Sequence, residues 1–437
     1  MDTLISNVTA VTMNGRMDVL FGAYIGITDG KISYLSKTAP EEKPATIVDG
    51  TGMVAIPGLI NCHTHLAATA FRGAFDDLGS VEALEEQLKK EAKMDDRCAK
   101  AAATLGIAEC LRFGITSVSD LYFFPEATAQ AAAEAGIKAN IALSAQRFLD
   151  ENEEFDFDTD PQCALLRQLA DTWHGYDGGR IRIDCGIHAE YTSNYPLWEA
   201  LTAYAAEKAL GLQLHLSQTE AETASCLDRT GLSQAELLGC HGFFKAPATA
   251  AGCGALSEED RALLGKKHLT AVALPLEDAK AGRPCLQVTD TVKAGINVAL
   301  GTGGAPDSGS CDLFEVMRAL ALAERQRAGK PDAMPAPALL TMATVCGALA
   351  QRRTDCGTLE VGKDADLALV DFSAPHLMPS HNVLSSLVFS AKGGDVAMTM
   401  VRGKILYQNG QFPTLDLRAA VEELMTYGIP RLFGNGK

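Results

Sequence analysis

None of the twelve cysteines pairs with another as Cys-x-x-Cys, no apolar run is long enough to span a bilayer, and no basic and apolar leader opens the chain. Scattered cysteines without a leader describe a reduced, cytoplasmic protein rather than a disulfide scaffold. The lack of a long apolar run excludes a membrane-spanning helix. Positive charge is short too: 38 Lys and Arg face 55 Asp and Glu, a net charge of −17, which argues against a nucleic-acid partner. No Gly-x-Gly-x-x-Gly follows the first strand to open a helix, which weighs against a dinucleotide cofactor.

What is present is a chain of 437 residues, 47% apolar and 21% charged, enough for one large domain and a small one. Residues 1–55 read as short strands with an Asp29-Gly30 hairpin turn. A matching set returns over 356–413, with Arg402-Gly403 and Asn409-Gly410 turns, and 414–437 reads as a helical tail. The two strand sets predict one small β-sandwich-like domain built from both ends. Between them, over 56–355, strand-like runs such as "GITSVSDLYFF", "IRIDCGIHAEYT" and "LGLQLHLSQ" alternate with helical stretches about eight times. That alternation predicts an α/β fold, a (β/α)₈ TIM barrel. The acidic stretch Glu151–Asp160 is expected to be a solvated loop, the alanine-rich "ATAQAAAEAG" a packing helix, and Arg72 a partner of Asp76 or Asp77.

Chemistry in a barrel collects at the C-terminal ends of the strands. His63 and His65 end the first barrel strand in "PGLINCHTHLAATAFRG". Residues two apart share a strand face, so both imidazoles can face one ion. His215 ends the fifth strand and can add a third nitrogen; His188 ends the fourth and is expected to line the pocket.

These motifs, with "SVSDLYFFPE", "GSCDLFEVMRALAL", "PAPALLTMATVCGALA" and "GTLEVGKDADLALVDF", carry a resemblance covering nearly the whole chain. The chain resembles the amidohydrolase superfamily, in the branch of aminohydrolases and chlorohydrolases that includes adenosylhomocysteine/methylthioadenosine deaminases, guanine deaminases and triazine hydrolases. The resemblance implies one divalent metal, zinc with iron or nickel as alternatives, on His63, His65 and His215. It implies a small nitrogen heterocycle as substrate, hydrolysis of a C–N bond, and a homo-oligomer such as a dimer.

Against that family pattern, Gly303 stands where an aspartate is usual after the eighth strand, and Gly252 where a histidine is usual after the sixth. Gln218 replaces a glutamate, Ala273 a seventh-strand histidine, and Ala83 a tryptophan. Glycine neither ligates nor transfers protons, and glutamine cannot ionise. The expectation is therefore a weakened metal site, with the two glycines opening the barrel mouth and Gln218 lining it. Glu190 and Asp307 are weak candidates for relocated catalytic carboxylates, with a solvated loop position the blander expectation for both. The alternative is a non-catalytic relative that binds a small molecule in the same pocket.

Overall fold

The computed structural model describes residues 1–148 and 155–434. Eight parallel strands run Leu59–His65, Ile115–Tyr122, Lys138–Leu143, Ile181–Gly186, Leu212–Leu216, Ala248–Gly252, Leu269–Ala273 and Asn297–Leu300, each beside the next. Closure comes just after the eighth. The Gly301 amide donates to the Ala273 carbonyl and the Thr302 amide to the His63 carbonyl, each at 3.1 Å. Gly303 and Gly304 then pair with Thr64 and His65 of the first strand. This is the expected TIM barrel.

The strands are buried on both faces, which is why they read as continuous apolar runs rather than as alternation. The intervening helices start where a side chain can accept an otherwise orphaned amide. Asp95, Asn194, Thr219, Ser233 and Ser257 each cap one in this way. The helix Pro125–Ala135 buries Ala127, Ala129, Ala131, Ala132 and Ala135, so its small residues serve close packing as expected. Arg72 pairs with Glu109, not with Asp76 or Asp77, because the turn after the first strand lays it against the helix Asp96–Arg112; Lys280 takes Asp76 instead. Of the acidic stretch, 151–154 lie outside the described residues, while Phe155 and Phe157 pack on the core and Asp160 caps the helix Pro161–Trp173. That second half is thus anchored at Phe155, Phe157 and Asp160, while Asp156, Asp158 and Thr159 are exposed, as expected of a solvated loop. The helical segments Leu417–Glu423 and Ile429–Phe433 follow the last strand. Among the described residues no helix is long and apolar enough to cross a membrane.

A separate eight-stranded, largely antiparallel sheet joins the two ends of the chain where Met53–Pro57 pairs with Leu367–Asp371. It curls: the Ala365 amide donates to Gly30 in one turn, and its carbonyl accepts from Gly403 in another. Ile5, Val8, Ile25, Ile27, Leu367, Leu369 and Met400 fill the core so enclosed.

The barrel and this sheet are fastened by charge. Lys138, the first residue of the third barrel strand, is 1% exposed. Its ammonium lies 2.6 Å from Asp366, 2.9 Å from Asp364 and 3.4 Å from Asp355. Burial works against that charge, but the surrounding carboxylates outweigh it and raise the lysine's pKa. The cluster sits at the N-terminal end of the strands, opposite the histidines.

Candidate metal centre

His63 and His65 alternate with Thr64 at the end of the first strand, so both rings enter the barrel mouth, where His215 meets them from the fifth. One nitrogen from each of the three lies within 4.8 Å of the others. His63 Nε2 and His215 Nε2 are 3.1 Å apart. The other nitrogens are anchored: Nδ1 of His65 lies 2.7 Å from the Leu121 carbonyl, and Nδ1 of His215 lies 2.7 Å from the His188 carbonyl. A carbonyl only accepts, so each Nδ1 carries the proton and each Nε2 presents a lone pair inward. Burial, then the neighbouring imidazoles, hold His63 and His215 well below the ordinary histidine pKa. The three rings converge on one point, the donor set of a three-histidine zinc site.

His188 stands at the edge of this group, its ring 5.2 Å from that of His215 and its Nδ1 3.0 Å from Thr192 Oγ1. Burial lowers its pKa to about 4, so it too is neutral and able to face a heterocycle. Asp120, fully buried beside the first strand, accepts from the Leu66 amide at 2.7 Å and from Thr64 at 3.1 Å. It shapes the turn that follows the histidines.

The opened mouth expected from the two glycines is not there. Gly252, with φ of +90°, has Gln218 packed over it: a Cβ at 252 would lie 2.6 Å from Gln218 Cγ. Gly303, with φ of +66°, faces Glu277: a Cβ at 303 would lie 1.9 Å from Glu277 Oε2. Side chains from elsewhere in the chain occupy both spaces. The space beside these two glycines, which had suggested room for a non-catalytic binder, is therefore filled.

Glu190 and Asp307 are not solvated loop acids either. Glu190 is 3% exposed, and both its carboxylate oxygens accept from Arg229 Nη2, at 2.9 and 3.0 Å. That carboxylate is committed to an ion pair. Glu190→Gln is therefore expected to leave turnover per folded molecule unchanged. Arg229→Met strands a buried charge and should cost about 2 kcal/mol in urea unfolding, below the ~3–5 kcal/mol for a fully buried pair because Arg229 is 40% exposed. Full loss of turnover in Glu190→Gln would restore it as a catalytic candidate. Asp307, by contrast, turns inward, its Oδ2 accepting the Gly304 amide at 3.0 Å. Burial, then the charge of Glu277, push its pKa up to about 6, against the pull of His65.

Three residues at this rim escape a position-by-position reading: Glu277, Asp278 and Arg283. Pro275 opens the short helix Pro275–Lys280 directly after the seventh strand, which sets two consecutive acids in its first turn. Arg283 donates to Glu277 Oε1 and lies 3.5 Å from Asp278. Burial, then Glu277, push Asp278 up to about 8, so it is largely protonated near neutrality. The available signal was "PLED" at the end of a barrel strand, where acids have access to the mouth.

Residues 54–406 match the amidohydrolase family. The chain is 34% identical to a 5'-deoxyadenosine deaminase of Methanosarcina acetivorans, over 97% of each chain. It is 33% identical to a 5-methylthioadenosine/S-adenosylhomocysteine deaminase of Caldicellulosiruptor saccharolyticus, again over 97% of each. The crystal structure of an adenosine deaminase from Xanthomonas campestris with bound zinc superimposes with a TM-score of 0.92, at 27% identity, covering 98% of each chain. With its barrel, its strand-end histidines and near full-length similarity to these enzymes, the chain belongs to the amidohydrolase family.

Proposed function

We propose that this protein is a hydrolytic deaminase of an adenine nucleoside altered at the 5′ position, working with one divalent metal, zinc before iron or nickel. The observation that carries the reading is the convergence of His63, His65 and His215, with their outer nitrogens anchored on backbone carbonyls. The substrate class rests on the two deaminases to which the chain is 33–34% identical over nearly its full length.

A divalent ion bound by these three rings would act as a Lewis acid and lower the pKa of a water molecule. The chain's own residues supply the rest. The Leu121 and His188 carbonyls fix the tautomers of His65 and His215, so no ring has to reorient. His188 offers a neutral ring nitrogen to the heterocycle. Asp307, with its pKa raised to about 6, can hold a proton or release it near neutrality. The overall change takes one water, breaks the bond between the ring carbon and its exocyclic nitrogen, and releases ammonia.

The test is elemental analysis of the protein purified without chelators, with deamination of 5'-deoxyadenosine, 5'-methylthioadenosine and S-adenosylhomocysteine followed by the adenine-to-hypoxanthine absorbance change. Stoichiometric metal is expected, with turnover abolished by chelation and regained on adding the ion back. Turnover that survives complete removal of metal would sink the reading, as would metal-replete protein inert toward all three.

A further inference from the structure

The space beside Gly303 is filled by a carboxylate that reaches it from the helix after the seventh strand. Gly303 pairs with Thr64, between the two histidines of the first strand. A side chain at 303 would start 1.9 Å from Glu277 Oε2 and 3.1 Å from Glu277 Cδ, so the carboxylate already occupies the place such a side chain would take. Glu277 is 8% exposed, and its buried Oε2 has no hydrogen-bond partner among the described residues. A buried acceptor left unpaired is costly, and it calls for an unseen donor. Its other oxygen, Oε1, is held by Arg283. The guanidinium, by taking Oε1, fixes which oxygen is left to point toward the rim. A Cβ at 303 would also lie 3.8 Å from Asp307 Cβ, so both acids border one space beside the first strand.

From this geometry we infer that Glu277 is the carboxylate that accepts the proton of the attacking water, reaching the histidine rim through the space that Gly303 leaves. The inference rests on the proposed hydrolysis. An O–H bond of water breaks, its proton passes to Glu277 Oε2, and the oxygen bonds to the ring carbon. Glu277 then returns that proton as the C–N bond breaks and ammonia leaves, so the carboxylate ends as it began. Arg283 is a positioning residue, since it acts through Glu277.

The experiment compares wild type, Glu277→Gln and the double variant Glu277→Ala with Gly303→Asp. Glu277→Gln preserves shape, and is expected to lower kcat by about 10²–10⁴-fold with KM little changed. Zinc affinity should fall by about 10–100-fold, as for loss of a group beside a metal site, and the visible spectrum of the cobalt-substituted protein should shift. In the double variant an aspartate regrown from position 303 should recover part of the lost kcat, which a merely structural role for Glu277 would not allow. Thermal melts identify variants that have failed to fold, and Glu277→Gln is the one that keeps the comparison valid in that case. Wild-type kcat in Glu277→Gln overturns the inference. Unchanged zinc affinity and an unchanged cobalt spectrum overturn it too, and do so even if the nucleosides tested are not substrates. A metal-replete wild type without turnover, but with a spectrum that responds to Glu277→Gln, would fail the proposed reaction and uphold the place of Glu277. A wild type that binds no metal overturns both.

Discussion

His63→Ala is expected to emerge from purification nearly free of metal and without measurable turnover. His63 lies between the other two rings, its centroid 4.7 Å from that of His65 and 4.8 Å from that of His215, so no remaining pair replaces it. Removing a group that merely supports a ligand weakens binding by about 10–100-fold, and removal of the ligand itself should exceed that range. The rate should fall by more than the ~10²–10⁴ that one proton-handling group contributes, because in the proposed reaction a bound metal and the carboxylates would act as a unit. The fold should survive. The His63 carbonyl still accepts from Thr302, and the neighbouring strand pairing does not depend on the ring. Chelation of wild type should reproduce the variant's inactivity, and chelation of the variant should add nothing. The variant retaining stoichiometric metal in elemental analysis would contradict the three-histidine centre.

Lys138→Met is the substitution expected to cost most in stability. It removes the cation from between Asp355, Asp364 and Asp366, of which Asp366 is 2% exposed. Lys31 and Arg402 also approach Asp364, but Asp366 loses its ion-pair partner. Breaking a buried ion pair from one side costs about 3–5 kcal/mol, a large share of a typical domain's margin. Urea unfolding should show that loss, while metal content and kcat per folded molecule stay close to wild type, since the cluster lies at the opposite end of the barrel. Adding Asp366→Asn should recover part of it, because the stranded charge is then gone. A loss under about 1 kcal/mol would mean that water or a rearranged lysine serves these carboxylates already.

The fold was legible because its signals are local. Strand and helix alternate with their own periods, and turns such as Asp29-Gly30 mark the second sheet. The histidines were legible for the same reason: two residues apart at a strand end, they had to share a face. Glu190 and Asp307 show where that reasoning stops. Both stand near strand ends, yet one is spent on Arg229 and the other accepts the amide of Gly304, which pairs with His65. No spacing rule separates them, because the difference lies in which distant side chain each meets.

What the amino-acid order determined by itself was the barrel, the rim at its strand ends, and three imidazoles able to meet there. Only tertiary structure decided that Gly303 and Gly252 are not empty places, since Glu277 and Gln218 arrive from the segments that follow neighbouring strands to fill them. The physical reason is that proton transfer depends on where an oxygen atom sits in space. Comparison slot by slot registers only the backbone position from which it usually hangs.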